Sequence, residues 1–173
     1  TLPGAVGAAA ISLTNGDAHS VQISTGAVSY LFLVNGTDNL RRYDGTTWTS
    51  IATLGTATNL FSLVALYRQR LFFVKKNSLE IEYLAPNAIT GTTINYPLAA
   101  TFSLGGKITG IIPWTIDSGT GPEDNLIIIT DQGQIAVFNG NDPAIWVLRG
   151  VYAAPKPIGS RPLVSYGGEV LVL

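Results

Sequence analysis

Apolar residues along this chain fall in short runs rather than at helical spacing. The runs are YLFLV (30–34), FSLVAL (61–66), RLFFV (70–74), KITGIIPW (107–114), LIIIT (126–130), QIAVF (134–138), WVL (146–148) and EVLVL (169–173). Most have the length and the β-branched or aromatic content of strands. Nineteen Gly and nine Pro punctuate them, as a strand-and-turn protein requires. Asn35-Gly36 and Asp44-Gly45 read as type I′ hairpin turns. Asp131-Gln132-Gly133, Asn139-Gly140 and Gly167-Gly168 read as further turns. The pattern predicts an all-β chain, with one short helix over AVGAAAISL (5–13) as the single exception.

The runs repeat. Stretches starting at Tyr30, Arg70 and Asn125 each give an apolar strand, a tight polar turn, and a second strand ending in an aromatic: Tyr43, Tyr83 and Phe138. A Trp follows in the first and third, Trp48 and Trp146. A fourth copy starts at Glu169. The intervals are close to the period of propeller blades, about 40–50 residues. Strands such as 31–34 and 126–129 are apolar on both faces, and stacked sheets that cover one another satisfy them. The expected architecture is therefore antiparallel blade-like repeats, a partial β-propeller with the run-opening strands innermost; the alternative is a β-sandwich. Residues 1–26 read as an N-terminal extension or the end of a preceding blade. Residues 27–173 read as three blade-like repeats plus the start of a fourth. The apolar run Val170–Leu173 at the end predicts an incomplete propeller fragment of a longer protein.

Composition narrows the chemistry. The 173 residues are 46% hydrophobic and 12% charged, with a mean hydropathy of +0.31. That charge is about half the globular average, so part of the surface is expected to be covered by a partner. The net charge of -1 includes no basic run, which argues against a dedicated nucleic-acid surface. Without cysteine there are no disulfides, thiolate metal sites or Cys nucleophiles. No stretch reaches the about 18 apolar residues of a membrane helix. His19 is the one histidine, so no His-rich metal site can form. No GxSxG elbow or GxxxxGK[ST] loop is present. These absences predict no enzyme, no cofactor and no metal.

The remaining motifs have ordinary readings. The acidic loop 117–124 is oxygen-rich, as calcium loops are, but reads first as a solvated connection. Arg68 and Arg70 lie two apart in an extended run, on one strand face. With Arg41, Arg42, Lys75 and Lys76 they read as edge protection and surface charge. Glu80 and Glu82 share a face and suit a solvated edge. Trp48, Trp114 and Trp146, with Tyr43, Tyr83 and Tyr152, read as packing between blades rather than a sugar platform.

The stretch NLIIITDQGQIAVFNGNDPAIWVLRGVYAAPKPIGSRPLVSYGGEVLVL resembles the β-rich tail and virion structural proteins of short-tailed bacteriophages. NGTDNLRRYDGTTW and YRQRLFFVKKNSLEIEYL are similar to that family's pattern upstream, and the resemblance spans Ala27 to Leu173. Glu82 departs from it, at a place where the family often has an aromatic or apolar residue. The resemblance implies a virion structural protein of the tail: a nozzle or hub subunit whose propeller-like domains form a homo-oligomeric ring. The ring lies below the head-tail connector and lines or closes the DNA channel. It implies as partners identical subunits, the connector or adaptor, other tail proteins and, transiently, phage DNA. Assembly would take place in the host bacterial cytoplasm. Arg68, Arg70, Lys156 and Arg161 are the residues expected to face the channel or DNA. The alternative function is a carbohydrate- or receptor-binding propeller module.

Overall fold

The computed structural model describes residues 10–117, 122–166 and 168–173, with the side chains of 117 and 122 left aside. Regular structure among them consists of β-strands and two 3-10 turns. The first sheet is the meander β1 (His19–Thr25), β2 (Val28–Val34), β3 (Leu40–Tyr43) and β4 (Trp48–Ile51). The second is β5 (Phe61–Tyr67), β6 (Arg70–Lys75), β7 (Glu80–Tyr83) and β8 (Ile94–Pro97). The third is β9 (Ile108–Asp117), β10 (Pro122–Thr130), β11 (Gln134–Asn139) and β12 (Val147–Ala153). A two-stranded sheet follows, β13 (Leu163–Tyr166) and β14 (Glu169–Val172). The protein is thus all-β, built of antiparallel blade-like sheets, none of which closes on itself.

The sequence repeat maps onto these sheets with a shift of one strand. The run-opening strands are β2, β6 and β10, second in each meander and flanked by strands on both sides; they are not innermost edges. Their apolar residues are buried on both faces, Leu71–Val74 and Leu126–Ile129 throughout. The aromatics Tyr43 and Tyr83 end the third strands, and Phe138 lies one residue before the end of its own. The first sheet starts at His19, inside the stretch 1–26 set apart in the sequence. Strand β1 pairs with β2 from His19↔Val34 to Thr25↔Val28, so the sequence boundary at 27 cuts a hairpin. The expected helix over 5–13 begins outside the described residues, and its residues 10–13 are not helical.

Two compact units divide the chain, Thr1–Lys76 with Glu82–Asn95 and Asn77–Ile81 with Tyr96–Leu173. The core of the first lies between the β1–β4 sheet and the β5–β6 hairpin. Ile23, Phe32, Val34 and Leu40 meet Phe61, Val64, Leu71, Phe73 and Leu84, with Ala88 and Ile89 packed against them. Phe61 stacks on Phe73 at 4.7 Å. Burying each such side chain stabilises by about 1.5–3 kcal/mol. In the second unit Trp146 lies against Phe138 and Tyr96, each with ring centroids 5.2 Å away. Trp48 lies tilted against Tyr43, with ring centroids 4.9 Å apart. Trp146 thus packs between two sheets, as the reading between blades expects, whereas Trp48 meets Tyr43 on the paired strand of its own sheet.

The turns differ from their sequence reading in a consistent way. Asn35 begins a connection of several residues, and its Oδ1 accepts from the amides of Thr37 and Asp38. Asp44 Oδ1 likewise accepts from the amides of Thr46 and Thr47. In both, the side chain mimics a backbone turn, and the loop is longer than a type I′ pair. The two-residue turn with both φ positive is Arg68-Gln69, at φ 50° and 60°, between paired Tyr67 and Arg70. Arg68 therefore sits in a turn and does not share a strand face with Arg70. Gly133 ends the β10–β11 turn at φ +79°, and a Cβ there would run into the Ala154 carbonyl. Gly133→Ala is expected to cost more than about 1 kcal/mol, read as a lowered denaturation midpoint at unchanged slope.

One polar cluster ties the segment before β1 to the β2–β3 loop. Asp38 accepts from Thr14 N and Oγ1, both at 2.8 Å, and from Asn35 Nδ2 at 2.6 Å. The buried Asn35 also donates to the Asn15 carbonyl. The hydrogen bonds from Asn35 and Thr14 hold the Asp38 carboxyl below the usual aspartate value. A depressed folded pKa contributes stability that is present above the unfolded value, about 3.9, and lost as pH falls through the folded one. Between pH 7 and 3 the native chain is expected to lose more stability than Asp38→Asn, in urea titrations at both pH values.

Candidate functional site

The third sheet carries an open recess on one face. Along β10, Glu123, Asn125 and Ile127 share a face by alternation. The register Asn125↔Trp114 and Ile127↔Val137 places Trp114, Ile116, Ile135 and Val137 on that same face. Arg149 and Tyr152 of β12 close the far side. The result is an open groove of about 500 Å³ with an apolar floor. The β13–β14 hairpin stands at its β9 side. Leu163 comes against Gly110, where a Cβ would fall 2.9 Å from it, and Trp114 Nε1 donates to the Gly168 carbonyl at 2.7 Å.

Polar groups line one end of the groove. Arg149 Nη2 pairs with Glu123 Oε1 at 2.5 Å. The pair is half open to solvent, so it contributes at most about 1 kcal/mol. Asn125 is buried; its Nδ2 donates to the Glu123 carbonyl at 3.3 Å and its Oδ1 accepts from Asn139 Nδ2 at 3.3 Å. On the opposite face of β10, Asp124 Oδ1 accepts from Thr115 Oγ1 at 2.7 Å. This end offers orientation and charge, and the floor offers apolar area. Such an arrangement suits packing an apolar side chain, a strand or a ring. The sequence reading missed the groove, although the alternation 123-125-127 and 135-137 was its available signal. What hid it was the register, which alone places Trp114 opposite Asn125.

The channel candidates fall in two places. Arg68 is exposed in the β5–β6 turn, with its guanidinium 6.0 Å from the Tyr67 ring centroid. Arg70 is half-buried; it lies 5.7 Å from the Tyr83 ring centroid and its Nη1 donates to the Leu84 carbonyl. Lys156 and Arg161 are exposed on the segment between β12 and β13. Lys156 Nζ donates to Gln132 Oε1 at 2.9 Å, and Arg161 N donates to the Thr109 carbonyl. Arg68 and Arg70 belong to the first compact unit, Lys156 and Arg161 to the second.

Other candidates settle as structural groups. Glu82 is not on a solvated edge. It is 2% exposed, pairs with Lys75 Nζ at 3.2 Å and accepts from Thr93 Oγ1. Arg42 lies over Tyr30 and donates to the Ile89 carbonyl. Lys76 Nζ donates to the Gly36 carbonyl at 3.1 Å. His19 Nδ1 stands 3.5 Å from the Val64 amide. Residues 118–121 of the acidic loop 117–124 lie outside the described residues. Among the described residues no group of three His, Asp or Glu side chains is placed to hold a metal. None of their helices is long and apolar enough to cross a membrane. No protein-family profile matches the chain, and no curated protein matches it.

Proposed function

We propose that this chain is a virion structural component of a short-tailed phage tail: a nozzle or hub subunit that builds a homo-oligomeric ring and lines or closes the DNA channel. The observation that carries this reading is the coincidence of motif and repeat. The stretches that resemble the phage tail proteins, 35–48, 67–84 and 125–173, fall one on each of three successive four-stranded meanders, and each contains the third strand of its meander and the turn before it. The low charge agrees with a wall along which DNA slides, since phosphate binding scales with Lys and Arg contacts. Arg68, Lys156 and Arg161, exposed, and the more enclosed Arg70 are its candidate channel residues. The test is the solution mass of the full-length protein, together with mass spectrometry of purified phage particles. A ring of identical subunits and peptides in the particle support the reading. A stable monomer absent from every particle overturns it.

The second reading is a carbohydrate- or receptor-binding propeller. It draws on Trp114 and Tyr152 at the rim of the groove, beside the Glu123–Arg149 pair. Glycan-array binding that is lost in Tyr152→Ala would favour it over the tail reading.

A further inference from the structure

Three Asn-Gly pairs stand in the chain, at 15-16, 35-36 and 139-140. Asparagine is a thermolabile residue, and most so before glycine, where no side chain shields the following amide. That amide nitrogen can attack the Asn Cγ and close a five-membered imide. Closure needs a following amide that is free and an Asn side chain that can turn toward it. The fold treats the three pairs differently on both counts.

At 35-36 both groups are tied. Gly36 N donates to the Phe61 carbonyl at 2.7 Å. Asn35 is buried, its Oδ1 accepts from two amides, and its Nδ2 donates to Asp38 and to the Asn15 carbonyl. At 139-140 the side chain is held twice, Nδ2 donating to the Asp124 carbonyl at 3.0 Å and to Asn125 Oδ1 at 3.3 Å. Gly140 is crowded by Trp146, which a Cβ would meet at 3.2 Å. At 15-16 these constraints lapse. Gly16 is exposed, and its amide donates no hydrogen bond among the described residues. Nothing lies within 4 Å of the place a Cβ would take there. Asn15 is half-buried, with Nδ2 on a single acceptor, the Asn35 carbonyl at 3.2 Å. Its Oδ1 accepts from the Asp17 amide at 3.0 Å, which draws electron density from Cγ and favours attack there.

We infer that Asn15 is a self-modification site, where the chain converts its own Asn-Gly link to aspartyl and isoaspartyl forms. The Gly16 nitrogen gives up its proton to solvent and bonds to Asn15 Cγ. The Cγ–Nδ2 bond breaks, and Nδ2 leaves as ammonia with the proton that solvent returns. Water then opens the imide. Addition at Cγ restores the main chain with an aspartate side chain; addition at the Asn15 carbonyl carbon leaves a main chain that runs through Cγ and is a methylene longer. Nothing is oxidised or reduced, and water is the co-reactant. Either product adds a carboxylate to the cluster of Thr14, Asn35 and Asp38. Asn35 Nδ2 bridges the Asn15 carbonyl and Asp38, so the new charge falls near a like one. The Asn35 carbonyl also loses its donor. Thr14 N and Oγ1 reach Asp38 at 2.8 Å, and this cluster ties the segment before β1 to the β2–β3 loop. Modification therefore releases that segment, irreversibly and at a rate set by the fold. This inference does not rest on the virion reading.

The test is peptide mapping of the folded chain by mass spectrometry after incubation at mildly alkaline pH. The mass gain of amide-to-acid conversion is expected at Asn15 at least tenfold faster than at Asn35 or Asn139. In urea the three pairs are expected to convert at similar rates, because the contacts that protect two of them are gone. Gly16→Ala, which meets open space, is expected to slow conversion at Asn15 at least tenfold with the β circular-dichroism signal kept. Asn15→Asp, which mimics one product, is expected to speed hydrogen exchange of the Thr14 amide at least tenfold. An Asn15 that stays intact, or equal conversion at the three pairs in the folded chain, overturns the inference. A Thr14 amide that exchanges as slowly in Asn15→Asp as in the native chain overturns the release.

Discussion

Phe73→Ala is expected to remove about 3–5 kcal/mol from the stability of the first compact unit. Phe73 is fully buried, stacked on Phe61, and held between β2 and the β5–β6 hairpin. Truncation removes the ring's transfer free energy and leaves a cavity. Close packing on several sides limits how far neighbours can collapse into it. A loss of that size is a large share of a typical domain's margin of about 5–15 kcal/mol. Urea denaturation should show a sharply lowered midpoint, or no folded baseline at all. Val147→Ala, at an exposed position, is expected to stay within about 0.5 kcal/mol of the native chain. Equal effects at the two sites would mean that the core is not where the structure puts it.

Lys75→Met is expected to cost about 3–5 kcal/mol, because it leaves Glu82 as an uncompensated charge at 2% exposure. The attraction in the intact pair mainly offsets the cost of taking both groups out of water. The double variant Lys75→Met, Glu82→Leu is therefore expected to regain most of the loss, since it removes the buried charge together with its partner. Thr93, which donates to Glu82, then needs a new partner and keeps the recovery incomplete. A double-mutant cycle by urea titration separates the pair's coupling from the cost of an orphaned carboxylate. Additive losses in the double variant would show that the pair is not coupled.

Strands dense in apolar residues were legible from sequence, because burial on both faces writes an unbroken run. RLFFV and LIIIT became β6 and β10 for that reason. Strand β1 was not legible: in HSVQIST only Val21 and Ile23 face the core, and serines and glutamine alternate with them. The turn at Arg68-Gln69 carries no Gly or Asn. Its left-handed backbone is imposed by the hairpin pairing on either side and by Asn87 N donating to the Gln69 carbonyl. Glu82 reads as a surface residue because no local pattern shows that Lys75 and Thr93 will converge on it. The groove was illegible for the same reason. Its floor is apolar residues that also read as ordinary core, and only the third-sheet register gathers them beside Trp114 and Arg149.

Within each of the three meanders, every strand hydrogen-bonds to the strand just before it in sequence. Growth of a sheet then never waits for a distant segment. Loop closure is cheap for short connections, and topologies rich in local pairings fold faster than those that join remote strands. A chain leaving the ribosome would add β2 to β1, then β3, then β4, each new strand meeting an edge already formed. The second strand of each meander carries an unbroken run of four apolar residues, and that run waits only until the third strand arrives. Sheet by sheet, synthesis order and pairing order coincide, which shortens the time that Leu71–Val74 or Leu126–Ile129 stand unpaired in a crowded cell.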